Sequence, residues 1–158
     1  MKKNFILALA VSSFLLIACN SNSEKSGATE KTTSREAVAD SLQGKVIEGH
    51  DIAMPKSMKI PALKKEAKLL IDSIGKLPAK AQQAAAPLKA KLEGVQKDLE
   101  HAYNSMESWM NGFKLDSAKN DIEQRIKYLT EENSKVDKIK EAVLGSIAKA
   151  DSVLKSKF

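Results

Sequence analysis

The sequence predicts an all-α protein, an up-down-up antiparallel three-helix bundle of coiled-coil character that follows an export signal and a flexible tether. Three observations predict it. Aromatic residues are only 4% of the 158, and the body of the chain is rich in Ala, Leu, Lys and Glu, a composition of long helices rather than sheets. Apolar residues recur at steps of three and four over long stretches, which is the spacing of one helix face. All 4 prolines lie between residues 55 and 87, so the breaks are few and the connections between long helices are short, as in antiparallel bundles.

Met1-Lys2-Lys3-Asn4 is a short positive start, and Phe5 to Ile17 is apolar apart from Ser12 and Ser13. This is the pattern of a secretory signal peptide, and the run is shorter than the roughly 20 apolar residues of a membrane span. Leu16-Ile17-Ala18-Cys19 resembles the lipobox of bacterial lipoproteins, in which the cysteine thiol receives diacylglycerol and becomes the first residue. The resemblance implies a signal peptide at 1–18 and a palmitate-type lipid on Cys19, with two or three acyl chains holding the protein to the membrane. Asn20 stands where an aspartate would favour inner-membrane retention, and no acidic cluster follows as far as Gly27. By similarity to lipoprotein sorting rules, both point to the outer membrane and its periplasmic leaflet.

Cys19 is the only cysteine, which excludes a disulfide within the chain and any cysteine-based zinc or catalytic site. Removing residues 1–18, which carry two of the 26 basic residues and none of the 20 acidic ones, leaves 140 residues with a net charge of +4. A small basic excess of interspersed signs is a solvated helical surface, not the clustered Lys/Arg of a nucleic-acid footprint.

Residues 19–33 are the expected tether, since they hold scarcely an apolar group to offset the entropy of ordering. The bundle domain is expected over 34–158. Thr33 with Glu36 makes a capping-box pattern, and Val38, Leu42, Val46, His50, Met54 and Met58 follow at steps of four, continued by Leu63, Ala67, Leu70, Ile74 and Leu77. A first helix over about 34–76 is predicted, kinked or briefly broken at Pro55 and Pro61. Gly75, Pro78 and Pro87 mark a turn. Leu88, Leu92, Val95, Leu99, Ala102, Met106, Trp109 and Phe113 then alternate steps of four and three, the seam of a coiled-coil helix over about 87–111. Asp116 or Ser117 caps a third helix over about 117–155, with Ile122, Ile126, Leu129, Asn133, Val136, Lys140, Val143, Ile147, Ala150 and Leu154 as its seam and Ile139 as a substitute for Lys140.

One layer of this bundle holds chemistry. Beyond the initiator, the methionines are Met54, Met58, Met106 and Met110, in two windows that also contain His50 and the only tryptophan, Trp109. Antiparallel pairing brings those windows together, placing Met54 opposite residues 106 to 116. Thioethers and an imidazole suit Cu(I) or Ag(I), with His50, Met54, Met58, Met106 and Met110 as candidate ligands and the Trp109 indole as a cap over the cation. The same cluster is equally what packing beside a proline-kinked helix calls for, because methionine fills irregular gaps.

His50-Asp51-Ile52-Ala53-Met54-Pro55-Lys56, with Leu63-Lys64-Lys65 and later Trp109-Met110 and Phe113, resembles a group of short helical Bacteroidetes lipoproteins sometimes labelled viral A-type inclusion protein-like. In that group a methionine follows Pro-Lys directly, where this chain has Ser57 before Met58. The resemblance implies envelope localisation and a helical fold, and carries no activity.

With no Ser/His/Asp or Cys/His set and no carboxylate pair in a perturbing setting, the sequence points away from an enzyme. The leading expectation is a non-enzymatic lipoprotein attached to the membrane through its lipid, a spacer or binder of another envelope protein, with no nucleic-acid partner and no obligatory cofactor. The alternative is a periplasmic binder of Cu(I) or Ag(I). The sequence sets no oligomeric state.

Overall fold

The computed structural model describes the backbone of residues 23–156 and the side chains of residues 33–156. The predicted signal peptide 1–18 and Cys19 lie outside the described residues. The chain forms α1 (Ser23–Ser57), α2 (Ile60–Gly75), α3 (Ala79–Gly112) and α4 (Ile122–Lys155). Among the described residues there is no strand, and none of their helices is long and apolar enough to cross a membrane.

The bundle is all-α and up-down-up as predicted. α1 and α2 run one way as a single interrupted helical arm, α3 returns, and α4 runs parallel to α1. α1 packs chiefly on α4, α2 on α3, and α3 on α4. Arg35 pairs with Glu123 at one level of the α1/α4 interface, and Gly49 meets Val136 at another. α3 meets α4 in the opposite sense, with Trp109 bonded to Glu132 and Asp98 to Lys149.

α1 begins at Ser23, so residues 23–33, expected as a flexible tether, are helical. The lack of apolar groups there argues against a packed core but not against elongation. Once a helix is nucleated each added residue gains a hydrogen bond, and Glu24, Lys25, Ala28, Glu30 and Lys31 are adequate helix formers.

The seam of this first arm also differs from the four-residue series. Ala39, Val46, Ala53, Ile60, Ala67 and Ile74 are buried, one residue every seven, and the phase passes unbroken from α1 into α2. This is the 3.5-residue repeat of a supercoiled helix. Steps of four instead drift by about 40° each, so Val38 lies 46% exposed at one end of the series and Met58 67% exposed at the other. The expected break falls at Met58 and Lys59, the two non-helical residues between α1 and α2. Pro55 remains inside α1, while Pro61 sits in the first turn of α2, where its missing N–H costs little.

α3 starts at Ala79, not near residue 87. Pro78 precedes it, and the Gln82 side-chain amide donates to the carbonyls of Leu77 (2.7 Å) and Gly75 (3.0 Å), closing the turn. Ala-Lys-Ala-Gln-Gln-Ala-Ala-Ala is strongly helix-forming and carries the helix through Pro87. The predicted α3 seam is buried at Leu92, Val95, Leu99, Ala102, Met106 and Trp109.

α4 starts later than predicted, at Ile122. Asp121, not Asp116 or Ser117, caps it, its carboxylate accepting from the backbone N–H groups of Glu123 and Gln124, both at 3.1 Å. The intervening turn needs a left-handed residue, Ala118 (φ 54°). It is fastened by Arg125, which donates to the carbonyls of Leu115 (3.1 Å) and Ser117 (3.3 Å) and reaches Gln43 on α1. The α4 seam runs Leu129, Glu132, Val136, Val143, Ser146, Ala150 and Leu154. Ile139, not Lys140, packs against the core, and Asn133 flanks the seam half-buried.

Candidate functional site

At the level where α1, α3 and α4 all run side by side, the seam becomes aromatic and polar. Trp109 of α3 is its centre. The indole lies 4.9 Å from the Phe113 ring, stacked, and 5.8 Å from the His50 imidazole, tilted by 35°. Phe113 continues the stack to Tyr128 of α4 at 6.2 Å, and the Tyr128 hydroxyl accepts the Lys114 backbone N–H at 2.8 Å.

The Trp109 Nε1–H donates to Glu132 Oε2 at 2.8 Å, and Lys135 Nζ donates to Oε1 at 2.7 Å. Glu132 is 5% exposed, and it is the one charged residue among the described buried set. Burying a carboxylate requires compensating hydrogen bonds, and here each oxygen has one. The Glu132 hydrogen bond is also what holds the Lys135 ammonium above the ordinary lysine range, against the opposing effect of burial.

The predicted ligand residues divide. Met106 is 1% exposed inside the core, and Met54 and Met110 pack half-buried against the same cluster. His50 is half-buried beside Trp109, with Nδ1 2.9 Å from Asp51 Oδ1. The Met54 sulfur lies 3.5 Å from the Ser57 hydroxyl, whose shorter contact, 2.8 Å, is to the Met54 carbonyl. Met58 does not join the layer, because it sits in the α1/α2 break with its side chain outside. Ser57, 2% exposed, takes the inward place instead. Among the described residues no group of three or more His, Cys, Asp or Glu side chains converges for a metal, so a thioether and imidazole set is the donor chemistry this layer offers. The Trp109 ring already has Phe113 and His50 as neighbours, so an indole cap over a cation would share that ring with both.

Glu132 was missed from sequence, and a signal for it existed. α3 alternates steps of three and four, and the same alternation from Leu129 gives 132, 136, 139, 143, 146 and 150, the observed seam. Beside Glu132 an open cavity of about 600 Å³ lies between α3 and α4, lined on the α3 side by Asn104, Ser105 and Ser108 and on the α4 side by Lys135, Lys138 and Ile139. No protein-family model, curated protein or solved structure matches the chain.

Proposed function

We propose that this is a non-enzymatic lipoprotein of the cell envelope, lipid-anchored through Cys19 to the periplasmic face of the outer membrane, whose helical rod acts as a spacer or as the binding module for another envelope protein. The observation that carries the reading is the proximity of the lipobox-like run to the rod. Only residues 20–22 separate Cys19 from α1, whose 35 residues span about 52 Å at about 1.5 Å per residue. An acylated Cys19 would thus hold the bundle at a set distance from the membrane, and the resemblance to helical Bacteroidetes lipoproteins supports the same address. Labelled palmitate fed to cells making the full chain is expected to enter the wild-type protein and not Cys19→Ser, with the wild type in the outer-membrane fraction. Labelling that persists in Cys19→Ser overturns the anchor, and recovery of the unlabelled protein from the cytoplasm overturns the address.

A second reading, soft-metal binding, is favoured by the packing of Met54, Met106 and Met110 against one cluster beside His50. Those four residues would supply the donors for Cu(I) or Ag(I). A Cu(I) titration of the full chain against a competing chelator tests it, and an unchanged chelator signal ends it.

A further inference from the structure

We infer that the cavity between α3 and α4 is a binding site for a small carboxylate-bearing ligand whose acid lies beside hydroxyl or amide groups. The cavity, about 600 Å³, is within the ~300–1,000 Å³ range of small-molecule sites. Its α3 wall offers Asn104, Ser105 and Ser108, at spacings of one and three residues, which place them along one side of the helix. None of the three side chains has a hydrogen-bond partner among the described residues. They are neutral donors and acceptors facing solvent, suited to hydroxyl and amide groups.

The α4 wall supplies the charge. Lys138 forms no ion pair among the described residues. Lys135 gives one hydrogen bond to Glu132 and, with three N–H donors on an ammonium, keeps two. Lys135 balances the charge of Glu132, whose other oxygen accepts from the neutral Trp109 indole, so among the lining residues Lys138 is the one charge in excess, and that excess selects an anion. The buried carboxylate itself is the second indication of a site. A seam position next to Trp109 would be cheaper to fill with leucine, and breaks in an otherwise regular apolar seam gather at functional positions. Ser146, the other polar break, bonds its own helix at the Val143 carbonyl and does not line this cavity.

The inference goes beyond the anchor and the spacer role and does not depend on either. Trp109 is the only tryptophan and lines this cavity, so its intrinsic fluorescence reports occupancy. The full chain, in detergent at low ionic strength, would be titrated with glucuronate against glucose, and with N-acetyl-glutamate-N-methylamide against its glutamine counterpart. A saturable change with one or both acids, none with the neutral partners, and at least tenfold weaker binding in Lys138→Gln and at raised salt are expected. The acid that binds more tightly identifies a sugar or a peptide as the source. Lys138→Gln, being exposed, leaves the fold intact, as an unchanged thermal melt would verify. No saturable response to either acid, an equal response to a neutral partner, or undiminished affinity in Lys138→Gln overturns the site.

Discussion

Glu132 shows how much a single seam position decides. Its two carboxylate oxygens separately satisfy Trp109 and Lys135, so Glu132→Gln retains an acceptor for the indole while Glu132→Ala removes it. Leaving a buried donor unpaired costs about 1–3 kcal/mol. Chemical denaturation should therefore place Glu132→Ala below Glu132→Gln in stability, and equal midpoints would show that the indole bond contributes nothing. The Lys135 side of the pair has a pH signature. Its folded-state pKa lies above the unfolded value, so its contribution is fully present below the ordinary lysine pKa of about 10.4 and is lost as pH rises through the higher folded value; Lys135→Gln should lose that alkaline component. The methionines are the other residue-scale question. Met106 is enclosed and Met54 partly so, and Leu nearly conserves methionine's volume, so Met54→Leu and Met106→Leu should each cost less than about 1.5 kcal/mol. A much larger loss would mean that the sulfur atoms do something leucine cannot. Trp109 and Met106 were legible in the sequence because α3 keeps an alternating three-four step, whereas Met58 was misplaced because four-residue steps on α1 accumulate a rotation that only the buried neighbours reveal.

At the scale of elements, the contact between α1 and α4 depends on one small residue. A Cβ added at Gly49 would meet Val136 Cγ1 at 2.9 Å and Cγ2 at 3.3 Å, and Val136 is buried and stiff at χ1. At Gly44, on the same helix, a Cβ would meet nothing within 4 Å. Alanine gains about 1 kcal/mol over glycine in a helix interior, but overpacking costs about 1–3 kcal/mol. Thermal melts should then move in opposite directions, upward for Gly44→Ala and downward for Gly49→Ala; a rise in both would mean that the two helices part without cost. The start of α4 makes an independent claim. Asp121→Ala removes the carboxylate that accepts from Glu123 and Gln124 and should cost about 1 kcal/mol, while Ser117→Ala, at one of the two positions the sequence suggested, should cost much less. Sequence placed that cap too early because Asp116 and Ser117 are good caps in isolation. What disqualifies them is the turn through Ala118 and its fastening by Arg125, a contact eight and ten residues along the chain that no local pattern encodes.

Across the whole molecule, the helical class and the up-down-up order were readable because they follow from composition, periodicity and short connections. The polar groove beside Trp109 was not, since its lining comes from two helices whose mutual register no local pattern encodes. The unbroken seven-residue phase of Ala39, Val46, Ala53, Ile60, Ala67 and Ile74 makes α1 and α2 one packing arm despite the break at Met58 and Lys59. Inserting one alanine after Lys59 turns the α2 seam about 100° out of phase with α1. Two thermal transitions in place of one are expected, and a single unshifted melt would show that the halves are already independent. The parallel course of α1 and α4 has a mechanical meaning as well. The first residue of α1 and the last of α4 lie at opposite ends of the rod, so tension between them loads the shared interface along its length. Packed positions such as Gly49 against Val136, with the Arg35–Glu123 and Gln43–Arg125 links, must then slip together in shear. An antiparallel pair pulled from adjacent ends would instead unzip one layer at a time, so this arrangement suits a chain held at its N-terminal end and drawn upon at the other.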